Sequence, residues 1–213
     1  MITLYDYLPS QNAWKVRQLL RHLSIPYRTE IISIFEGAGH DPSYLAINPW
    51  GAVPAIRLDD GRVLSESNAI LWYLSGGTQY RPDDAFAQAK LFQWLSFEAD
   101  YVQTSVGSLR FWTLTGKLAA RPKSLVDGKR GVARRALGIL DEQLSTRPFI
   151  VGSQYSVADI SLFAYAHLAK DAGIATDQFR SFEAWVARVK SQERHLAEMY
   201  PYSIDPHSSE ELP

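Results

Sequence analysis

The sequence of 213 residues contains no cysteine. Without a thiol the chain cannot form a thiolate zinc finger, an iron–sulfur site or a cysteine nucleophile, and it cannot run a Cys-x-x-Cys redox cycle. Disulfides are also not needed, because a chain of this length allows one large domain or two small ones, at ~100–150 residues for a typical domain. Any sulfur chemistry must therefore use a thiol from outside the chain.

The chain also has no surplus of charge of either sign, because it contains 22 basic and 23 acidic side chains. Nucleic-acid binding is driven by a clustered excess of Lys and Arg, so we expect no nucleic-acid partner. No apolar run approaches the ~18 residues of a membrane span, and the first six residues lack the basic start of a signal peptide. We therefore expect a cytoplasmic protein with no membrane partner.

The first 75 or so residues change their hydrophobic period several times. A β-prone run, Ile2–Asp6, precedes apolar residues at helical spacing from Asn12 onward, with Lys15, Arg17 and Arg21 outside that stripe. A second strand, a brief helix, a hairpin with an Asp-Gly turn and a further helix follow. The order β-α-β-α-β-β-α predicts a thioredoxin-like domain.

The remainder of the chain keeps a helical period almost throughout, which predicts a fold that combines an α/β domain with an all-α bundle. The predicted helices are 85–115, 122–144, 157–172 and 179–191. The expected domains are 1–76 (thioredoxin-like), 77–84 (linker), 85–200 (all-helical) and 201–213 (irregular tail).

Two segments of the first domain suggest a ligand site. Pro54 withdraws an N–H from the start of a strand, and Val53–Pro54 is a candidate for a cis bond whose turn leaves the Val53 backbone free to pair with a peptide-like ligand. Glu66 and Ser67 lie at a helix start, which favours a carboxylate. Taken singly, either feature is also explained by an ordinary loop or helix cap.

In combination these segments resemble the glutathione transferase family, and the resemblance covers nearly the whole chain. Residues 5–12 (YDYLPSQN) look like the catalytic loop of its serine-type members. Residues 48–54 (NPWGAVP) are similar to its Asn-Pro-x-Gly-x-Val-Pro loop, and 66–70 (ESNAI) to its Glu-Ser-x-Ala-Ile motif. Residues 149–160 resemble its Gly…Ser/Thr-x-Ala-Asp signature, in which Ser156 and Asp159 form a predicted capping box.

The resemblance implies that glutathione is the co-substrate and that a hydroxyl donor favours its thiolate. We expect Ser10 to donate to the sulfur, with Asn12 as the second candidate and Tyr7 and Tyr5 behind them. Many relatives carry Lys or Arg where Ala52 stands, and His40 is a possible substitute. The implied glutathione-binding residues are Ser10, His40, Val53, Pro54, Glu66 and Ser67.

The remaining expectations concern the acceptor and the assembly. We assign the pocket for a small hydrophobic electrophile to Tyr7, Leu8, Ser108 and Trp112, although ordinary core packing explains the aromatic pair Phe111–Trp112 equally well. Resemblance alone implies a homodimer, in which Glu98 or Asp100 reaches the glutathione amine of the partner; a solvated helix face is the alternative. The five histidines show no ligand spacing, so no metal is expected.

The implied function is conjugation of glutathione to hydrophobic electrophiles. Glutathione-dependent peroxidase, reductase or isomerase activity at the same site is an alternative of the same class. An alternative of another class is a non-catalytic module used for dimerisation or ligand carriage, which the missing basic side chain at Ala52 favours. The absence of cysteine excludes the cysteine-type members, whose own thiol forms mixed disulfides.

Overall fold

The computed structural model describes residues 1–212, which form two compact units. The first unit comprises residues 1–76 and the chain from 194 onward, and the second comprises 77–193. Among the described residues, no helix is long and apolar enough to cross a membrane.

The first unit is built on a four-stranded sheet. Its strands are β1 (Ile2–Asp6), β2 (Tyr27–Ile31), β3 (Ala55–Arg57) and β4 (Val63–Ser65). The spatial order is β2-β1-β3-β4, with β1 and β2 parallel and the other two pairs antiparallel. In the ladder Leu4 lies opposite Thr29 on one side and Ile56 on the other. A parallel neighbour reached through a helix is the arrangement expected for a β-α-β crossover.

Three α-helices complete the predicted β-α-β-α-β-β-α order, which is confirmed. They are α1 (Gln11–His22), α2 (Pro42–Leu45) and α3 (Ser67–Leu74), with 3₁₀ turns at Ile34–Glu36 and Ala38–His40. Helices α1 and α3 pack against the sheet through a cluster that is excluded from water, composed of Leu4, Val16, Leu20, Ile56 and Ile70. This core fixes where α1 and α3 begin relative to the strand ends.

Helix α1 differs from its predicted amphipathic form. Lys15 and Arg17, which lie outside the apolar stripe, are buried rather than solvated, with residue exposures of 0% and 6%; Arg21 alone of the three is exposed. The reason is that both side chains have buried partners: the Lys15 ammonium donates to the Ser67 hydroxyl of α3 at 3.4 Å, and Arg17 pairs with Asp6 of β1 at 2.8 Å. The C-terminal stretch covers a further polar part of α1. The Trp14 indole donates to the Leu196 carbonyl at 3.1 Å, and the Gln18 side chain accepts from the Leu196 N–H at 2.6 Å.

Residues 194–200, expected with the helical domain, thus pack with the first unit. Gln18 also donates to the Arg194 carbonyl at 3.3 Å, and the Trp14 and His195 rings meet edge to face. Beyond them the tail contains two 3₁₀ turns, Tyr202–Ile204 and Pro206–Ser209. A single sequence does not show such long-range packing, because these polar contacts leave no hydrophobic period.

The second unit is helical, as predicted. Its helices are α4 (Ala85–Phe97), α5 (Ser108–Leu114), α6 (Lys123–Leu144), α7 (Val157–Ala166) and α8 (Arg180–Lys190). A π-helical segment, Glu98–Gly107, joins α4 to α5, so the predicted long helix is continuous but changes its hydrogen-bonding pattern midway. Helix α7 ends before the predicted position 172, because i→i−3 bonds such as Leu168 N–H to Tyr165 C=O tighten its end into turns.

The capping box at the start of α7 is present as predicted. Asp159 accepts from the Ser156 N–H and hydroxyl, from the Ile150 N–H and from the Trp185 indole, each at 2.9–3.0 Å. Complete burial raises the pKa of Asp159 to about 6, although these four donors favour its ionised form. This carboxylate therefore ties α7, α8 and the preceding loop together inside the second unit.

Candidate functional site

The loop between β1 and α1 carries Ser10 at the helix N-cap. Its hydroxyl oxygen accepts a hydrogen bond from the Ala13 N–H at 3.3 Å, and its own N–H donates to the Tyr7 carbonyl at 2.8 Å. Because the oxygen is used as an acceptor in the cap, the hydroxyl proton can be given to a different acceptor at the start of α1. The side chain is half-buried and stands at the positive end of a 12-residue helix.

A buried ion pair holds this loop in place. Arg17 lies 2.8 Å from the Asp6 carboxylate at the end of β1 and donates to the Leu8 carbonyl at 2.9 Å. Burial raises the pKa of Asp6 above its usual value, and the Arg17 guanidinium offsets only part of this. One guanidinium thus connects the strand end, the helix and the loop that leads to Ser10.

A second buried cation lies between the starts of α1 and α3. The Lys15 ammonium donates to the Asn12 side-chain oxygen at 3.0 Å and to the Ser67 hydroxyl at 3.4 Å. The Ser67 hydroxyl in turn lies 3.4 Å from the same Asn12 oxygen. Asn12 and Ser67, predicted for two different parts of the ligand, are therefore in direct contact.

The loop before β3 has the geometry of an open edge. The Val53–Pro54 bond is cis, and the ladder between β3 and β4 begins only at Ala55, so the backbone of Val53 lies outside the sheet pairing. The Tyr44 hydroxyl and the Asn48 amide both donate to the Ala52 carbonyl at 2.6 Å. These two bonds fix the loop that carries Val53, which is half-buried.

His40 is exposed and lies beside this loop, because its ring approaches the space above Gly51. The two chain segments pass so close that a Cβ at Gly39 would lie 2.3 Å from the Gly51 carbonyl oxygen. Gly51 itself has a φ of +66°, a conformation that glycine adopts without strain. The close passage places the His40 segment next to Ala52, which is exposed.

The start of α3 combines an exposed carboxylate with a buried hydroxyl. Glu66 is the N-cap, with a φ of +69° that side-chain-bearing residues seldom adopt, and such strain persists where the surrounding structure imposes it. Its carbonyl accepts the first helical bond, from the Ile70 N–H at 2.9 Å. Ser67 is buried in the first turn, where free N–H groups and the helix dipole favour an anion.

A cavity of about 280 Å³ adjoins the loop between β1 and α1, within the first unit. Tyr7, Leu8 and Pro9 line it together with the tail, including Asp205 and His207. Burial, followed by the neighbouring Asp205 carboxylate, raises the pKa of Tyr7 above its usual value. The Tyr7 hydroxyl therefore keeps its proton across the ordinary pH range.

The other two residues assigned to the electrophile pocket, Ser108 and Trp112, belong to the second unit. The Ser108 hydroxyl donates to the Thr104 carbonyl at 2.9 Å, and the Trp112 ring lies under the cations of Arg121 and Lys129 at 5.2 and 5.6 Å. Both are half-buried, and their place in the pocket remains a prediction.

Glu98 and Asp100 both lie in the π-helical segment Glu98–Gly107, but their environments differ. Glu98 is fully buried and accepts from the Ser161 hydroxyl at 3.2 Å within the second unit. Neither expectation for Glu98 is therefore correct, because it is neither on a solvated face nor available to a partner chain. Asp100 is exposed. Within residues 1–212, no cluster of three or more His, Asp or Glu side chains is placed to hold a metal ion.

The site also includes Lys15, Arg17 and Asp6, which no motif in the sequence marks. Their only signal is spacing, because Lys15 follows Asn12 by three positions and so shares its helix face. Tyr5 lies in β1 as expected, packed against the Tyr44 ring at 5.8 Å. The tail residues that line the cavity carry no motif.

Comparison with protein families gives two matches in chain order. The model described as "Glutathione S-transferase, N-terminal domain" matches residues 9–76, and "Glutathione S-transferase, C-terminal domain" matches residues 97–193. The first match lies within the first unit of the structure, and the second match lies within the second unit.

Three similar proteins illustrate the range of relatives. A glutathione S-transferase structure from Pseudomonas fluorescens is 33% identical, with a TM-score of 0.88 over 92% of this chain and 97% of that one. A glutathione transferase from Burkholderia graminis, solved with two glutathione molecules per subunit, is 28% identical, with a TM-score of 0.81 over 91% and 85%. Elongation factor 1-gamma from Danio rerio is 34% identical over 75% of this chain, which spans only 36% of that protein.

Proposed function

The chain belongs to the glutathione S-transferase family, and from this premise we propose that it conjugates the thiolate of glutathione to small hydrophobic electrophiles. The observation that carries the proposal is the geometry of Ser10, whose oxygen accepts the cap hydrogen bond while its proton stays available at the N-terminus of α1. A thiolate at that position receives a hydroxyl hydrogen bond and the field of the helix dipole.

The hydroxyl acts as a hydrogen-bond donor and not as a nucleophile. A free thiol has a pKa of about 8.5, so at neutral pH only a few per cent of it is the reactive thiolate. A hydrogen bond to a charged group contributes about 1.5–3 kcal/mol, which corresponds to a depression of about one to two pKa units. The thiolate then attacks the electrophilic carbon, forming the carbon–sulfur bond as the leaving group departs with its electron pair.

The remainder of the tripeptide fits the open edge and the start of α3. The backbone of Val53, which lies outside the sheet pairing, offers N–H and C=O groups to the peptide middle of glutathione, as in strand addition. The first turn of α3 at Ser67 offers donors to the γ-glutamyl carboxylate, and the exposed Glu66 carboxylate lies beside it for the neighbouring amine. His40, beside this loop, is the candidate hydrogen-bond donor for the glycine carboxylate, since the Ala52 side chain has no polar group.

We assign the electrophile to the cavity beside Tyr7 and Leu8. This places the acceptor between the tail and residues 7–9, which directly precede Ser10 in the chain. The apolar walls supplied by Leu8, Pro9 and Ile204 favour a hydrophobic group. A homodimer in the cytoplasm is the assembly we propose.

A second candidate function is favoured by the relatives. Elongation factor 1-gamma shares this region at 34% identity, and that name does not describe a transferase. A non-catalytic role in dimerisation or ligand carriage would need neither a free Ser10 proton nor a Val53 backbone outside the sheet pairing. These two features are why we place conjugation first.

The test is glutathione conjugation of a chlorodinitrobenzene by the parent, Ser10→Ala and Ser10→Thr, with kcat/KM measured against pH. Removing one hydrogen bond of about 1.5–3 kcal/mol lowers kcat/KM by about 10- to 100-fold in Ser10→Ala and moves the profile toward the pKa of the free thiol. Ser10→Thr keeps a hydroxyl and recovers most of the rate. A Ser10→Ala variant with the parental rate and profile would refute the assignment of Ser10.

If the parent binds glutathione but accelerates no conjugation, peroxide reduction or isomerisation, the non-catalytic function is correct. Analytical ultracentrifugation at micromolar concentration tests the dimer separately, and a monomer would remove it.

A further inference from the structure

The buried ammonium of Lys15 has no role in the chemistry derived so far. The residue is fully excluded from water, and a cation in such a position is expensive to bury unless its donors are used. Two of its contacts are with residues of the candidate site, Asn12 at 3.0 Å and Ser67 at 3.4 Å. The ammonium therefore contacts the starts of both helices, α1 and α3, that glutathione is proposed to contact.

The chemistry of an ammonium determines how the Asn12 amide is turned. A lysine side chain can only donate hydrogen bonds, so the Asn12 atom that faces it must be the carbonyl oxygen. The reversed amide would place two N–H donors against a buried cation. The same oxygen is also contacted by the Ser67 hydroxyl at 3.4 Å, which reinforces this orientation.

The opposite end of the amide is then fixed as well. With Oδ1 held inward, the Nδ2 amino group points away from Lys15, in the same first turn of α1 as the Ser10 hydroxyl. An amide N–H donates and cannot accept, so this end suits an anion such as a thiolate. Asn12 is half-buried, which leaves room for a ligand atom beside it.

We propose that Lys15 is a positioning residue of the glutathione site, which holds the Asn12 carbonyl inward so that the Asn12 amide donates a second hydrogen bond to the bound sulfur. The proposal rests on the proposed function, because it needs a thiolate at the start of α1. It differs from a direct charge effect of Lys15, because its influence passes through the Asn12 amide.

The test measures the pKa of the thiol of bound glutathione, by thiolate absorbance, in variants of both residues. Lys15→Met, Asn12→Ala and the double variant each raise this pKa by about one unit, a tenfold loss of thiolate below the pKa. The double variant is no worse than Asn12→Ala, since both changes remove the same hydrogen bond. Additive losses would show that Lys15 acts by its own charge and would overturn the proposal.

A second variant does not depend on how Lys15→Met folds. Asn12→Asp keeps an oxygen toward the Lys15 ammonium but replaces the outward N–H donor by an acceptor oxygen, so the bound-thiol pKa rises while thermal stability is kept. Lys15→Arg keeps a cationic donor toward the Asn12 oxygen and preserves the parental pKa. Lys90→Met, at an exposed lysine of α4, is the matched control and leaves the pKa unchanged.

The outcomes separate the two proposals. A depressed thiol pKa that survives both Lys15→Met and Asn12→Asp overturns the assignment of Lys15 and leaves the proposed function standing. A parent whose bound thiol titrates as it does in solution overturns the proposed function and the role of Lys15 together.

Discussion

Replacement of Arg17 by methionine tests how the loop that carries Ser10 is held. The substitution keeps an unbranched chain of apolar atoms but removes the partner of Asp6, whose residue exposure is 0%. It also removes the 2.9 Å hydrogen bond to the Leu8 carbonyl. Breaking a buried ion pair from one side costs about 3–5 kcal/mol, because the remaining charge has no compensation.

The stability lost in Arg17→Met depends on pH, and the direction of this dependence follows from the protonation of Asp6. Burial already raises the pKa of Asp6 in the folded protein, and removal of the Arg17 charge raises it further. The extra cost of ionised Asp6 is complete only at pH values above the pKa values of Asp6 in both folded proteins. It disappears as the pH falls through them, because protonated Asp6 no longer needs a cation. The difference in stability between parent and Arg17→Met therefore narrows with acidification.

Urea unfolding followed by tryptophan fluorescence measures this difference, with Asp6→Asn as the rescuing change. In the Asp6→Asn background, Arg17→Met costs only the Leu8 hydrogen bond and some packing, about 1–3 kcal/mol, and the cost no longer varies with pH. A penalty of Arg17→Met that is the same at all pH values, or the same in both backgrounds, would show that the ion pair does not hold the loop.

Three further changes test the capping carboxylate, the open edge and a helix surface. Asp159→Asn lowers the free energy of unfolding by about 3 kcal/mol or more, because an amide cannot accept from all four donors. Asp127→Asn, at an exposed helix position, is the control. Equal effects of the two changes on urea unfolding would contradict the role of Asp159. Gly39→Ala puts a Cβ 2.3 Å from the Gly51 carbonyl oxygen, displaces the Val53 loop and weakens S-methylglutathione binding about tenfold or more by calorimetry. Gly128→Ala, within α6 and facing open space, leaves binding unchanged and stabilises the fold by about 0.5–1 kcal/mol; unchanged binding in Gly39→Ala would refute the account of the close passage.

The periodic parts of the fold were predictable from the sequence because they depend on local patterns. Strand β1, the Asp-Gly hairpin and the capping box at Ser156 each follow from neighbouring residues, and the structure has all three. The end of α7 and the π-helical segment Glu98–Gly107 were not predictable, since a shift between i→i−3, i→i−4 and i→i−5 bonds leaves the hydrophobic pattern nearly unchanged.

The same distinction applies to the candidate site. Ser10, Val53 and Ser67 were found because each lies at a helix start or a strand edge that sequence marks. Lys15 lies outside the apolar stripe of α1, and the sequence does not predict its burial, because that burial depends on contacts made across the fold, one of them 52 positions away at Ser67. A lysine in an amphipathic helix looks the same in sequence whether it faces water or a buried amide.

The central claim is that the site activates a glutathione thiol that the cysteine-free chain does not itself supply. The most direct test is to titrate glutathione bound to the parent protein from about pH 5 to about pH 9 and follow thiolate absorbance. The account predicts an apparent thiol pKa one to two units below that of free glutathione, in agreement with about 1.5–3 kcal/mol from donors at the start of α1. A bound thiol that titrates with the pKa of free glutathione would contradict it.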